Sequence, residues 1–270
     1  MSNTQIETHV NGLGNIFYCT DSAFDDASKA VLKKSDELIS SRDLAYGRIV
    51  DAKANGSWKN SSLCTNGSYV REGSLFVPNA DNKRIWLRES LVLQNPSDAV
   101  KAHKKGNEYV PKNFKVGEYL EQIGKDNYFI VSDTSSIPTE RFGEDARTVW
   151  AFKDQAKEYG TFLKDSGITS MNIWMYNSDD KHINSQSGPF ANQLWLHRLD
   201  SISDIDGNVR DLDDNYRVRG VSRESAEGSA LKNAGLYSPK EFLQATKSIG
   251  LNITGDLEKT LLTELDKLRK

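Results

Sequence analysis

Apolar residues recur at helical spacing in two parts of the chain. From Phe24 to Leu38 they step by three and four, which predicts an amphipathic, core-facing helix over residues 22–39. A second pattern of this kind covers residues 144–166, where acidic residues open the segment and Gly167 follows it as a left-handed cap. Both segments are expected to bury one face against a core.

Alternating positions predict strands elsewhere. Between Tyr69 and Leu93 the pattern alternates, with Ile85, Leu87, Leu91 and Leu93 on one parity, and the turn-forming residues 79–82 predict a hairpin. The preceding segment, residues 55–70, is dense in Asn, Gly and Ser and predicts an exposed loop. The lysines of residues 94–127 are interpreted as a solvated face.

Further strands are predicted at residues 128–132, 170–176, 193–199 and 216–221. The sequence Asp206-Gly207-Asn208 favours positive φ and predicts a tight reversal before the last of them. Gly220 suggests a bulge in that strand. If the strands on either side of the turn pair, the aspartates of residues 200–214 can neutralise the arginines that follow.

The C-terminal part predicts two helices. Ser238-Pro239-Lys240-Glu241 has the form of a helix start, and Gly250 ends that helix. A stripe of leucines then lines a second helix, either as core or as a docking face for a second copy of the chain. The stripe consists of Leu257, Leu261, Leu265 and Leu268.

These patterns predict an α+β fold with a mixed or antiparallel sheet, packed helices and a helical C-terminal appendage. The expected regions are 1–127 (helix and hairpin), 128–235 (mixed α/β core) and 236–270 (helical pair), and one domain remains the alternative to several.

Composition excludes several classes of function. The 270 residues include 35 basic and 38 acidic side chains, so no basic field favours nucleic acid or a membrane surface. The first twenty residues have no secretion signal, and no apolar run is long enough to cross a bilayer. We therefore expect a cytoplasmic protein in which Cys19 and Cys64 are reduced.

Motifs for metal or cofactor binding are missing, and none is predicted. The histidines have no ligand spacing, and neither a P-loop nor a nucleophile elbow is present. The oxygen-bearing residues Asp204, Asp206, Asn208 and Asp211 resemble a calcium loop, but the register puts Ile202 at its first position.

Two hypotheses about the function remain open. The first is a non-catalytic recognition protein that presents a polar and aromatic loop surface to a protein or glycan ligand. Its predicted binding residues are Trp195, Asp204, Asp206, Asn208, Arg210 and Tyr216. The second is an enzyme in which His197 acts as acid or base beside Asp200, with Cys64 as a candidate nucleophile. A purely structural or oligomerising protein is a further alternative.

Three short motifs suggest a family. Ile137-Pro138-Thr139-Glu140 precedes a helix, Leu194 to Asp200 reads L-W-L-H-R-L-D, and Tyr216 to Val221 reads Y-R-V-R-G-V. In this order they resemble the C-type-lectin-like scaffold of formylglycine-enzyme-like and related microbial domains. The resemblance covers residues 137–221 and implies that fold for the core. Lectin activity is not implied, because the scaffold's metal-binding E-P-N type triplet is missing.

Overall fold

The computed structural model describes residues 4–78, 83–176, 185–186, 188–200, 203–208, 212 and 217–223. Residues Met1–Arg223 belong to one compact unit. The division of the chain near residues 127 and 235 stays a prediction.

The described strands join into one mixed sheet. Their bounds are β1 (Gln5–Val10), β2 (Gly14–Cys19), β3 (Glu37–Leu38), β4 (Ser68–Val77), β5 (Lys83–Leu87), β6 (Tyr128–Ile130), β7 (Ile137–Pro138), β8 (Ser170–Trp174), β9 (Phe190–Leu196), β10 (Ser203–Asp206) and β11 (Val218–Arg223). The order is β1-β2-β11-β4-β9-β10-β8-β7, with β3 beside β11 and with β5 between β4 and β6. Along this path β10 runs parallel to β8 and β11 parallel to β4, while the other neighbours are antiparallel.

Helices cover both sides of the sheet. Their bounds are α1 (Phe24–Leu32), α2 (Ser41–Ala54), α3 (Ser62–Thr65), α4 (Leu91–Gln94), α5 (Pro96–Lys104), α6 (Val116–Ile123), α7 (Ala146–Phe152) and α8 (Ala156–Asp165). With the mixed sheet, they confirm the predicted α+β class.

Strand β9 lies at the centre and is buried on both faces. Leu194 and Leu196 point into one cluster with apolar residues of α2, α7 and α8. Ala191 and Trp195 point to the opposite side, into a second cluster with residues of α1, α4 and α5. This alternation of side chains separates two cores, one on each face of the sheet.

The predicted helices are correct in place and wrong in extent. The segment 22–39 is helical only over α1, and Glu37–Leu38 are already strand. Residues 144–166 form α7 and α8, separated at Lys153, which has a positive φ of 52°. The left-handed conformation predicted for Gly167 is confirmed by its φ of 83°.

The segment 55–70 is not an exposed loop. It contains a 3₁₀ turn, the short helix α3 and the start of β4, and Leu63 and Cys64 within it are fully buried. The preceding helix α2 was not predicted because it is buried nearly all round and has no apolar stripe. Its N-cap is Ser40, whose side chain accepts a hydrogen bond from the backbone N–H of Asp43.

The hairpin of β4 and β5 is confirmed, with Leu75 opposite Ile85, although its turn lies outside the described residues. The predicted pairing of the strands on either side of Gly207 is wrong. Strand β10 lies between β8 and β9, and β11 lies between β2 and β4. The arginines of β11 are neutralised elsewhere: Arg219 pairs with Glu7 and Arg223 with Glu37. Strand β11 continues through Gly220 in regular register with β2, so no bulge occurs there.

The C-terminal helical pair and its leucine stripe lie outside the described residues. Among the residues described, no helix is long and apolar enough to cross a membrane.

Candidate functional site

Strand β10 brings several predicted site residues together. Ser203 and Ile205 are buried on one face of the strand, and alternation directs Asp204 and Asp206 to the other. Asp206 is the register partner of Trp174 on β8 and of Trp195 on β9. We call this side of the sheet the outer face of β10; its residues are Asn172, Trp174, Trp195, His197, Asp204 and Asp206.

The two tryptophans of this face differ in exposure. Trp195 is only 7% exposed; its ring meets the Tyr69 ring edge-on, with centroids 5.0 Å apart. It also covers Gly67, where a Cβ would fall 2.3 Å from the indole. Trp174 is 51% exposed. Trp195 therefore belongs to the core beside the site, and Trp174 presents an aromatic surface to solvent.

Asp204 is the buried acid of the site. The residue is 8% exposed, and its Oδ1 atom has no hydrogen-bond partner among the described residues. Burial raises the pKa of its carboxyl, against the charge of His197 and hydrogen bonds from the side chains of Trp174 and Asn172. A buried carboxylate oxygen without a partner costs free energy, and this cost favours the protonated form of Asp204.

His197 lies beside Asp204, and its backbone N–H donates to the Asp204 carbonyl at 3.0 Å. Burial lowers the pKa of the imidazole, and the nearby carboxylates of Asp204 and Asp200 oppose that shift. The predicted partner Asp200 accepts a hydrogen bond from Arg198 at 3.1 Å. The structure thus places Asp204, as well as Asp200, close to His197.

Arg48 of α2 fixes this region from the core side. Its fully buried guanidinium donates to the His197 carbonyl at 2.6 Å, to the Leu63 carbonyl at 2.8 Å and to the Tyr159 hydroxyl at 2.8 Å. These bonds tie the end of β9 to α3 and α8 and hold the backbone of His197 rigid.

The properties of Cys64 are those of a structural cysteine. Its thiol is fully buried, and Sγ lies 3.6 Å from the Arg48 carbonyl. Burial raises the pKa of the thiol, which disfavours the thiolate needed for nucleophilic attack. Cys19 is also buried, with Sγ 3.6 Å from the Thr20 carbonyl, and it is not joined to Cys64, in agreement with the predicted reduced state.

The chain bends at Gly207 after β10, but Asp206, Gly207 and Asn208 lack the positive φ that the sequence predicts. The backbone N–H of Asn208 donates to Asp206 Oδ1 at 2.9 Å, and the N–H of Gly207 donates to the Trp174 carbonyl at 2.8 Å. The Ser74 hydroxyl donates to the Gly207 carbonyl at 2.6 Å, which anchors the turn to β4. The predicted binding residues Arg210 and Tyr216 lie outside the described residues.

Two surface clefts lie elsewhere. One, of about 490 Å³, is lined by residues of mixed charge near Gly160 on α8. The other, of about 460 Å³, lies near Tyr109 and α5. In the described part of the chain, no three His, Cys, Asp or Glu side chains gather closely enough to hold a metal ion.

Comparison with known proteins finds no matching family model and no matching curated protein. One matching solved structure is described as "Accommodation of massive sequence variation in Nanoarchaeota by the C-type lectin fold". It has a TM-score of 0.52 at 18% identity, and the match covers 77% of this chain and 96% of that one.

The motifs behind the predicted resemblance fall on regular elements of this fold. Ile137-Pro138-Thr139-Glu140 covers β7 and the start of the 3₁₀ turn before α7, and the Leu194 motif begins in β9. At this identity the likeness defines the fold and no activity. The chain has the α+β architecture of the C-type lectin fold, as its sequence motifs predict.

Proposed function

We propose that this protein is a non-catalytic recognition protein that binds a protein or glycan ligand on the outer face of β10. The observation that carries the proposal is the half-exposed indole of Trp174 on a strand face that also carries the acidic residues Asp204 and Asp206. An exposed aromatic ring beside polar groups is a common feature of binding surfaces.

The support of this face favours binding over chemistry. Arg48 and the Gly207 turn hold the backbone of β9 and β10, and Trp195 packs beneath them. A rigid support lowers the entropy lost when a ligand binds. The similar structure supports this interpretation, because its fold is described as accommodating massive sequence variation. A scaffold of that kind can change its surface residues without losing its core.

The test is a screen of the full chain against an immobilised set of glycans and a set of peptides, followed by Trp174→Ala. Because Trp174 is exposed, its loss is expected to leave the thermal midpoint nearly unchanged and to abolish saturable binding. The matched control is Val149→Ala on α7, which removes another exposed apolar side chain (42%) outside the outer face of β10 and should bind normally.

Two results would overturn the proposal. The first is wild-type protein that binds no member of either set. The second is a Trp174→Ala variant that binds as tightly as the Val149→Ala control.

A further inference from the structure

We propose that the cleft beside α5 is a second binding site, which takes a small phosphate monoester through Lys101, Lys105 and Lys112. The cleft has a volume of about 460 Å³ and is lined by one face of α5 and by the segment that follows this helix. The inference does not depend on the proposed function, because the residues of this cleft are different from those of the outer face of β10.

The first argument is the way in which the fold forms the cleft. Asp98, Lys101 and Lys105 are spaced by three and four residues along α5 and its C-cap, so they share one face of the helix. The segment opposite this face is fixed against β9, because the N–H of Ala191 donates to the Tyr109 carbonyl at 2.9 Å. A cleft of this size, with one rigid wall on each side, accommodates a small molecule.

The second argument is the convergence of two lysines on one carboxylate. Lys101 Nζ lies 3.9 Å from Asp98 Oδ1, and Lys112 Nζ lies 3.7 Å from Asp98 Oδ2. Both distances are longer than a hydrogen bond, and the two lysine side chains are 71% and 88% exposed. The fold therefore brings two ammonium groups together while their N–H donors stay accessible to a ligand.

The third argument is the position of the charges in the cleft. Its lining carries three ammonium groups and two carboxylates, those of Asp98 and Glu108. Glu108 is only 6% exposed and accepts a hydrogen bond from the Tyr176 hydroxyl at 3.0 Å, so its carboxylate is held by the core. Asp98 accepts a hydrogen bond from the Asn95 side chain at 2.8 Å. The accessible charge of the cleft is therefore positive, which favours an anionic ligand.

A phosphate monoester fits these donors better than a carboxylate. It carries about 1.5–2 negative charges at pH 7 and three strong acceptor oxygens, whereas a carboxylate has one charge and two oxygens. Lysine binds phosphate as a point charge, so exact planar geometry is not required. Val110, 49% exposed in the lining of the cleft, offers an apolar contact for the organic part of the ester.

The experiment titrates the full-length protein, labelled for NMR, with phenyl phosphate, inorganic phosphate and benzoate. The amide signals of Ala102 and Val110 report on the cleft, and that of Trp174 reports on the outer face of β10. Phenyl phosphate should shift the cleft signals and bind about fivefold more tightly than either inorganic phosphate or benzoate. Raising the ionic strength to about 0.15 M should weaken its binding several-fold, because the contacts are between exposed charges.

Variants should change the affinity in opposite directions. Lys101→Gln with Lys112→Gln removes two donors and should weaken the binding of phenyl phosphate about tenfold. Asp98→Asn removes the carboxylate that competes with the ligand for both lysines, and it should strengthen binding about threefold. The matched control is Lys53→Gln with Lys59→Gln, which removes the same charge from two exposed positions outside the cleft and should bind like wild type.

Four results would overturn the inference. They are the absence of a saturable shift at Ala102 and Val110, a largest shift at Trp174, an equal loss of affinity in the two double lysine variants, and inorganic phosphate that binds as tightly as phenyl phosphate. If Asp98→Asn fails to fold, the two double lysine variants still decide, since all four substituted lysines are exposed. Failure here leaves the proposed function standing, because glycan or peptide binding at Trp174 is measured separately.

Discussion

Replacing Glu7 by glutamine removes the charge partner of a fully buried arginine. Glu7 on β1 accepts hydrogen bonds from Arg219 at 2.5 and 2.7 Å and from Arg217 at 2.6 Å, and its side chain is only 2% exposed. The Arg219 side chain has no exposed surface and also donates to the Gly67 carbonyl at 3.0 Å, beneath Trp195. The pair therefore joins β1 and β11 to the loop under the candidate site.

The expected cost follows from this burial. Breaking one partner of a buried ion pair costs about 3–5 kcal/mol, because the remaining charge is left without compensation. For a unit of this size, a loss of 1 kcal/mol lowers the thermal midpoint by about 2–4 °C. We therefore expect Glu7→Gln to unfold about 10 °C below wild type at pH 7 in a calorimetric or circular dichroism melt.

The pH dependence adds a second readout. Burial raises the pKa of Glu7, but the charge and hydrogen bond of Arg219, with the charge of Arg217, hold it below its ordinary value. A carboxyl with a lowered pKa stabilises the fold above its unfolded pKa, and this contribution is lost as the pH falls through the folded value. The difference in midpoint between wild type and Glu7→Gln should therefore shrink below about pH 4.

The control is Glu158→Gln, which makes the same change in an exposed pair. Glu158 lies 3.4 Å from Lys53, and both side chains are more than half exposed. Such pairs contribute about 0–1 kcal/mol, so the midpoint should move by at most a few degrees. If Glu7→Gln melts at the same temperature as Glu158→Gln, the buried ion pair of Glu7 and Arg219 does not stabilise the fold.

Three further predictions concern other buried groups. Gly220→Ala should lower the thermal midpoint by several degrees, because the new Cβ would fall 2.2 Å from Ser35 Oγ; an unchanged melt would contradict this contact. Cys64 should resist iodoacetamide in the native protein at pH 7.5 and react after unfolding, because burial raises the pKa of its thiol. Mass spectrometry measures the labelling, and rapid labelling of the native protein would contradict the burial of Cys64. Burial also raises the pKa of Glu72, whose Oε2 atom accepts hydrogen bonds from the backbone N–H and the hydroxyl of Ser41. Ionisation of this carboxyl therefore destabilises the fold as the pH rises. The stability of wild type relative to Glu72→Gln should therefore fall as the pH rises above the ordinary glutamate pKa of about 4.3 in denaturant titrations, and a constant difference would contradict this sign.

The sequence predicts elements well where one face is apolar and the other polar. The alternation along β4 and β5 gives the hairpin, and the helical period gives α8. It fails for α2, because its polar residues Asp43, Arg48 and Asp51 are buried with partners that only the fold brings close. Local pattern carries no information about such distant partners.

The candidate site was predicted in part. Asp204 and Asp206 were selected for their oxygen atoms, and the register of β10 places them on one face. Trp195 was selected as a surface residue, and it supports the site from a buried position. For Trp174 the sequence predicts only a place in a strand. Its exposure depends on the parallel pairing of β8 with β10, and these strands are too far apart in the sequence for a local pattern to reveal that pairing.

The proposed binding surface is tested most directly by mapping where a ligand binds. The full chain, labelled for NMR, would be titrated with the tightest-binding member of the glycan and peptide sets. If the ligand binds on the outer face of β10, the largest shifts will fall on Asn172, Trp174 and Asp204. Largest shifts at the clefts near Tyr109 or Gly160, with the Trp174 signal unmoved, would contradict it.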